Sequence, residues 1–141
     1  KMGEEVIARE SEVADYLAGD FNRVTYLGSG SFGGLAQESQ LKILELAHGL
    51  VATSYDTSMG YRHGPKSFVD DKTLVFVFVN NDAYTRQYDI DILNEIGGDK
   101  IAQHTVAVQQ EGALPHFKLV VFLRQDAVGS TEGEEERKSE S

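Results

Sequence analysis

Between Tyr26 and Pro65 lie two glutamates, a lysine and a histidine whose types and spacing suit proton transfer. Glu38, Lys42 and Glu45 stand at i, i+4 and i+7, so a helix would set all three on one stripe. Arg62, His63, Gly64 and Pro65 follow in a polar segment, where glycine and proline constrain the backbone and hold the imidazole in place. A carboxylate base, an imidazole that titrates near neutral pH and an ammonium that offsets negative charge are the parts of acid–base chemistry on a small carbonyl compound. On a solvated helix the Glu–Lys triplet would be only a surface pairing worth about 0.2–0.5 kcal/mol. At about 100° per residue, however, Leu35 and Leu46 flank one side of the stripe and Leu41 and Leu44 the other. The charges are therefore expected to be partly buried, and burial would push a glutamate upward toward the range of a general base.

These side chains need a scaffold. Val24 to Leu27 reads as a short strand, stopped by Gly28-Ser29-Gly30, and Gly33 to His48 as a helix ended by Gly49. Leu50 to Thr53 is a second short strand. Leu74 to Val79 (LVFVFV) is apolar at every position, as in a strand buried on both faces. Asp82 caps a helix over Tyr84 to Ile96, with Gly97-Gly98 as its stop, and Thr105–Val108 and Leu119–Leu123 are two further strands. An amphipathic helix over Glu4 to Leu17 precedes them all. The alternation predicts an open parallel sheet with helices on both faces, and ligands in such sheets sit at the carboxyl ends of the strands. Gly28, Gly30 and Gly33 spell the dinucleotide pattern GxGxxG, yet the acidic residue it requires comes late, at Asp56, and Glu38 occupies the second helical turn. A nucleotide-dependent oxidoreductase is thus a minor reading. Ser29 and Ser31 still place hydroxyls beside a helix N-terminus, suited to a polar or anionic ligand.

The remaining polar residues carry less. His48 fits the C-terminal end of a helix dipole, and His104 and His116 show no ligand spacing, so neither a metal nor a cofactor is expected. Arg86 with Tyr84, Tyr88, Asp89 and Asp91 reads as a solvated helix face or a subunit contact. At 141 residues the chain is long enough for one domain with its own core. A net charge of −10 speaks against nucleic acid and anionic membrane, and no apolar run approaches the roughly 18 residues of a membrane span. The absence of cysteine fits a reducing cytoplasm. Residues 129–141 hold five Glu against Arg137 and Lys138 and are expected to be a disordered acidic tail after a domain over 1–128.

Three motifs, YLGSGSFGGLAQESQLKILEL, GYRHGPKSFVDD and YTRQYDIDILNEI, make the stretch from Tyr26 to about Val108 resemble a sugar isomerase (SIS) domain. It is most similar to the second such domain of the tagatose-6-phosphate ketose/aldose isomerase and galactosamine-6-phosphate deaminase family. More distantly it resembles the isomerase half of glucosamine-6-phosphate synthase. The resemblance implies a three-layer αβα sandwich with a mainly parallel, flavodoxin-like five-stranded sheet. It implies two SIS domains per subunit, so that this chain would be one domain of a longer protein. Sites between domains and subunits of a homo-oligomer are implied as well, with a serine/threonine loop of the first domain gripping the sugar phosphate. By motif position Glu45 matches the glutamate that shuttles a proton between C1 and C2, and His63 the histidine of ring opening, often delivered by a neighbouring subunit. Glu38 and Lys42 match positions lining that site.

Together these readings predict a phosphosugar isomerase/deaminase domain acting on a phosphorylated sugar or amino sugar, specifically galactosamine 6-phosphate. Glu45 and His63 are its catalytic residues, and Glu38, Lys42, Ser29, Ser31 and Arg62 its substrate-binding ones. The alternative is a regulatory SIS module that binds a sugar phosphate without turning it over.

Overall fold

The computed structural model describes residues 2–99, 101–109 and 120–122. Two short helices, α1 (Met2–Ala8) and α2 (Glu10–Leu17), lead into β1 (Arg23–Gly28), α3 (Gly33–Leu46), β2 (Ala52–Asp56) and α4 (Ser58–Arg62). Then follow β3 (Thr73–Phe78), α5 (Ala83–Asp99), β4 (His104–Gln109) and β5 (Val120–Phe122). The strands form one sheet of order β2-β1-β3-β4-β5, every neighbouring pair parallel. This is the expected α/β sandwich, its fifth strand described over Val120–Phe122.

The strand order determines where the helices go. From β1 the chain steps outward to β2, then returns past β1 to β3 and continues to β4 and β5. Crossovers of one hand must therefore put the helix after β1 on one face and those after β2 and β3 on the other. Side-chain contacts agree, because successive strand residues point to opposite faces. Gln40 of α3 donates to Thr53 Oγ1 (2.8 Å), whereas the next residue, Ser54, is hydrogen-bonded to Thr25 (2.8 Å), which also meets the Tyr61 hydroxyl of α4. On the α4/α5 face Leu27, Tyr61, Val75, Val77, Ile92, Leu93, Ile96 and Ala107 form the buried core. On the α3 face Tyr26 stacks on Phe76 (5.2 Å) and Phe78 (6.4 Å), and Tyr16 of α2 lies 4.4 Å from His104. β3 is central and is buried on both faces through Leu74, Val75 and Val77, as its unbroken apolar run requires.

Four expectations are corrected. The N-terminal helix is broken into two at Arg9. β2 spans Ala52–Asp56, set by its register with β1, rather than Leu50–Thr53. α5 passes through Gly97 and Gly98, neither of which takes the left-handed conformation that ends a helix. Finally, the segment before His63 is helical: Thr57 caps α4 by accepting from Gly60 N (3.0 Å), and burial of Tyr61 outweighs the weak propensity of its glycine. The domain boundary at 128, the tail over 129–141 and His116 lie outside the described residues.

A core substitution, Leu93→Ala, should lower unfolding free energy in urea by about 2–5 kcal/mol. Leu46→Ala, at a side chain 77% exposed, should stay within about 0.5 kcal/mol of the parent.

Candidate functional site

The switch in strand order falls between β1 and β3, whose carboxyl ends are the expected ligand edge. The loop after β1 is tightly built: a Cβ on Gly28 would lie 2.3 Å from the Phe32 carbonyl oxygen, and Gly30 takes φ +60°. The carboxylate of Asp89, on α5 and fully buried, sits beneath this edge. Its Oδ1 accepts from the hydroxyls of Ser29 (2.9 Å) and Ser58, and its Oδ2 from the backbone N–H of Asn80 (2.8 Å). The loops after β1, β2 and β3 are thereby tied to one side chain. Ser29 Oγ also accepts from Ser58 N, and Asn80 Nδ2 donates to the Ser29 carbonyl (2.9 Å), which closes the network. Arg86 extends it to β4 through Gln109 Oε1 (2.8 Å). Asp89 is thus an interior brace and Arg86 a half-buried one, a correction to the reading of these two as a solvated face. Ser29 meets Asp89 from the interior, while Ser31 is exposed in the short 3-10 turn that precedes α3.

α3 carries Glu38, Lys42 and Glu45 on one stripe, as their spacing predicts. Lys42 Nζ lies 3.4 Å from Glu38 Oε1 and 3.4 Å from Glu45 Oε2. The carboxylates of Glu45 and then Glu38 hold the lysine above its ordinary value. The expected partial burial is absent: all three side chains are 56–57% exposed. The flanking leucines are exposed with them, Leu35, Leu41, Leu44 and Leu46 among them, because α3 buries only Ala36 fully against the sheet. An apolar-rimmed charged stripe on an open helix has the character of a contact surface.

His63 caps the C-terminus of α4, between that helix and a 3-10 turn over Pro65–Phe68, and its side chain is exposed. Its neighbours are ion-paired. Arg62 Nε lies 3.0 Å from Glu95 Oε2 of α5, and Lys66 Nζ pairs with Glu95 Oε1. The Lys66 ammonium, with Arg62 assisting, holds the Glu95 carboxyl below its ordinary value. Since α3 and α4 cover opposite faces of the sheet, Glu45 and His63 of one chain are separated by it. Among the described residues no cluster of histidine and carboxylate side chains could hold a metal, and no helix is long and apolar enough to cross a membrane.

Sequence reasoning missed Asp89, Asn80, Ser58 and Glu95. Only the helical phase of Asp89 offered a signal: it lies three and four residues before Ile92 and Leu93, on the buried side of α5.

No protein-family model matches the chain. It is 52% identical over 93 residues to D-galactosamine-6-phosphate deaminase AgaS of Escherichia coli, a match covering 66% of this chain and 24% of that protein. To the deaminase of the same name from Escherichia coli O157:H7 it is 46% identical over 108 residues, 73% of this chain and 28% of the relative. Among solved structures, tagatose-6-phosphate ketose/aldose isomerase from Escherichia coli superposes with a TM-score of 0.77 at 38% identity, covering 89% of this chain and 36% of that one. The chain therefore spans about a quarter of the length of these curated relatives.

Two outcomes test the geometry. Asp89→Ala strands two hydroxyls and an N–H, and should cost about 2–5 kcal/mol in chemical denaturation. A carboxyl held low in the folded state contributes stability above its unfolded value, about 4.3, and loses that contribution as pH falls through the folded value. The stability difference between the parent and Glu95→Gln should accordingly be present at pH 7 and shrink as acid is added below pH ~4.

Proposed function

We propose that this chain, whose homologues make up a SIS-domain phosphosugar isomerase and deaminase family, is one domain of an enzyme converting galactosamine 6-phosphate to tagatose 6-phosphate and ammonia. The carrying observation is the α3 stripe, where Lys42 bridges Glu38 and Glu45 on a surface rimmed by exposed leucines. The names and identities of the deaminase relatives support the substrate class.

The chemistry follows from the residue types. His63 relays a proton at the ring oxygen and opens the pyranose to its aldehyde. Glu45 removes the C2 proton, and the electron pair left behind forms a C1–C2 enolamine as the carbonyl oxygen gains a proton. Returning the proton to C1 leaves an imine at C2, and water then releases ammonia and the 2-ketose. Lys42 offsets the charge that builds on the oxygen, while Glu38 keeps the ammonium in register with Glu45. Ser31 and the Ser29 loop bind polar groups of the sugar. Arg62, engaged with Glu95, acts near the substrate through the turn it shares with His63.

Because the sheet stands between Glu45 and His63, the working site takes the histidine from another copy of this domain, in a cytoplasmic homo-oligomer. The exposed leucines of α3 supply an apolar surface for that contact. The other reading, a sugar-phosphate sensor without turnover, is favoured by the solvent exposure of the three charges in this chain.

Ammonia release from galactosamine 6-phosphate by the full-length protein separates the two. Glu45→Gln should lower kcat by about 10²–10⁴-fold with little change in KM. Equal rates for parent and variant would end the assignment of Glu45. Calorimetric binding without turnover by the parent would favour the sensor.

A further inference from the structure

We propose that Glu95 is the positioning residue of His63, a clamp that fixes the histidine turn from α5 by gripping both of its flanks. The inference rests on the reading of His63 given above.

Within the Arg62–Lys66 turn the two cations stand on either side of His63-Gly64-Pro65. Each meets a different oxygen of one carboxylate, Arg62 at Oε2 and Lys66 at Oε1 of Glu95. A single side chain thus links the residue before the histidine to the residue three beyond it. Glu95 has a firm base, because its neighbours Leu93 and Ile96 are fully buried. At its other end, α4 is tied to the same helix by the Ser58 hydroxyl on Asp89, and in between Tyr61 is buried with its hydroxyl near Thr25.

The fold of α4 is already secured by Tyr61 and Ser58, and partly exposed ion pairs such as those of Glu95, itself 29% exposed, contribute little to stability. The turn has its own backbone bonds, His63 N–H to the Gly60 carbonyl and Ser67 N–H to the Gly64 carbonyl, and Glu95 adds the side-chain tie that joins its two ends to α5. An imidazole that must reach a sugar held elsewhere needs placement to within about 0.5 Å. The paired flanks supply that constraint while leaving the ring exposed for its work.

Glu95→Gln keeps the side chain's shape and removes its charge, and Lys66→Gln releases one arm alone. In the full-length protein, Glu95→Gln should lower kcat about 10-fold with KM nearly unchanged, and Lys66→Gln should lower it less. Added to His63→Asn, Glu95→Gln should have no further effect on kcat, since both act through the same imidazole. With histidine rings labelled by carbon-13, the His63 resonance should broaden or shift in Glu95→Gln while that of His48, on the other face, holds. An unchanged His63 resonance, or a kcat loss that adds in full to that of His63→Asn, overturns the clamp. Full turnover by His63→Asn alone would instead overturn the role of His63, and the resonance would still decide whether Glu95 holds the turn.

Discussion

A carboxylate with no exposure to water governs this structure. Burying Asp89 without partners would be strongly unfavourable, so the three donors that reach it cannot be released one at a time at low cost. Those donors come from the loops after β1, β2 and β3, the three connections that meet at the switch in strand order. Loops at such an edge are ordinarily the mobile part of an α/β domain. Here they are fastened through Asp89 to the helix that also closes the core. Gly28 and Gly30 serve the same end, one by leaving room for the Phe32 carbonyl and the other by turning the chain toward Asn80.

The fastened edge contrasts with the openness of α3. That helix buries one alanine fully and exposes a row of leucines around three charged side chains. Ion pairs this exposed add little to the stability of a lone domain, so stability does not account for the pattern. Apolar rims and a pre-paired charge row gain value only when water leaves them. The sheet between α3 and α4 parts the glutamate from the histidine within one chain.

The fold was largely legible in the residues because its signals are local. LVFVFV can only be comfortable in a strand covered on both sides, and Asp82 caps α5 where its sequence position predicts, accepting from Thr85 N (3.0 Å). The errors arose where distant contacts outweigh local preference. Gly97 and Gly98 continue a helix anchored by Ile96, and Gly60 sits inside a helical turn because Tyr61 is pulled into the core. The stripe of Glu38, Lys42 and Glu45 was readable from spacing alone, whereas its exposure was not, since the angle at which a helix settles on a sheet depends on the sheet.

Composition and spacing by themselves determined the α/β alternation, the placement of the glycine loop before a helix, and the sharing of one helical face by two glutamates and a lysine. All of these follow from periodicities of a few residues. Tertiary structure alone decided that Asp89 gathers Ser29, Ser58 and Asn80, that Glu95 gathers Arg62 and Lys66, and that Glu45 and His63 lie on opposite faces of the sheet. Each of those outcomes joins residues far apart in the chain, and only strand order and crossover hand bring such residues together or hold them apart.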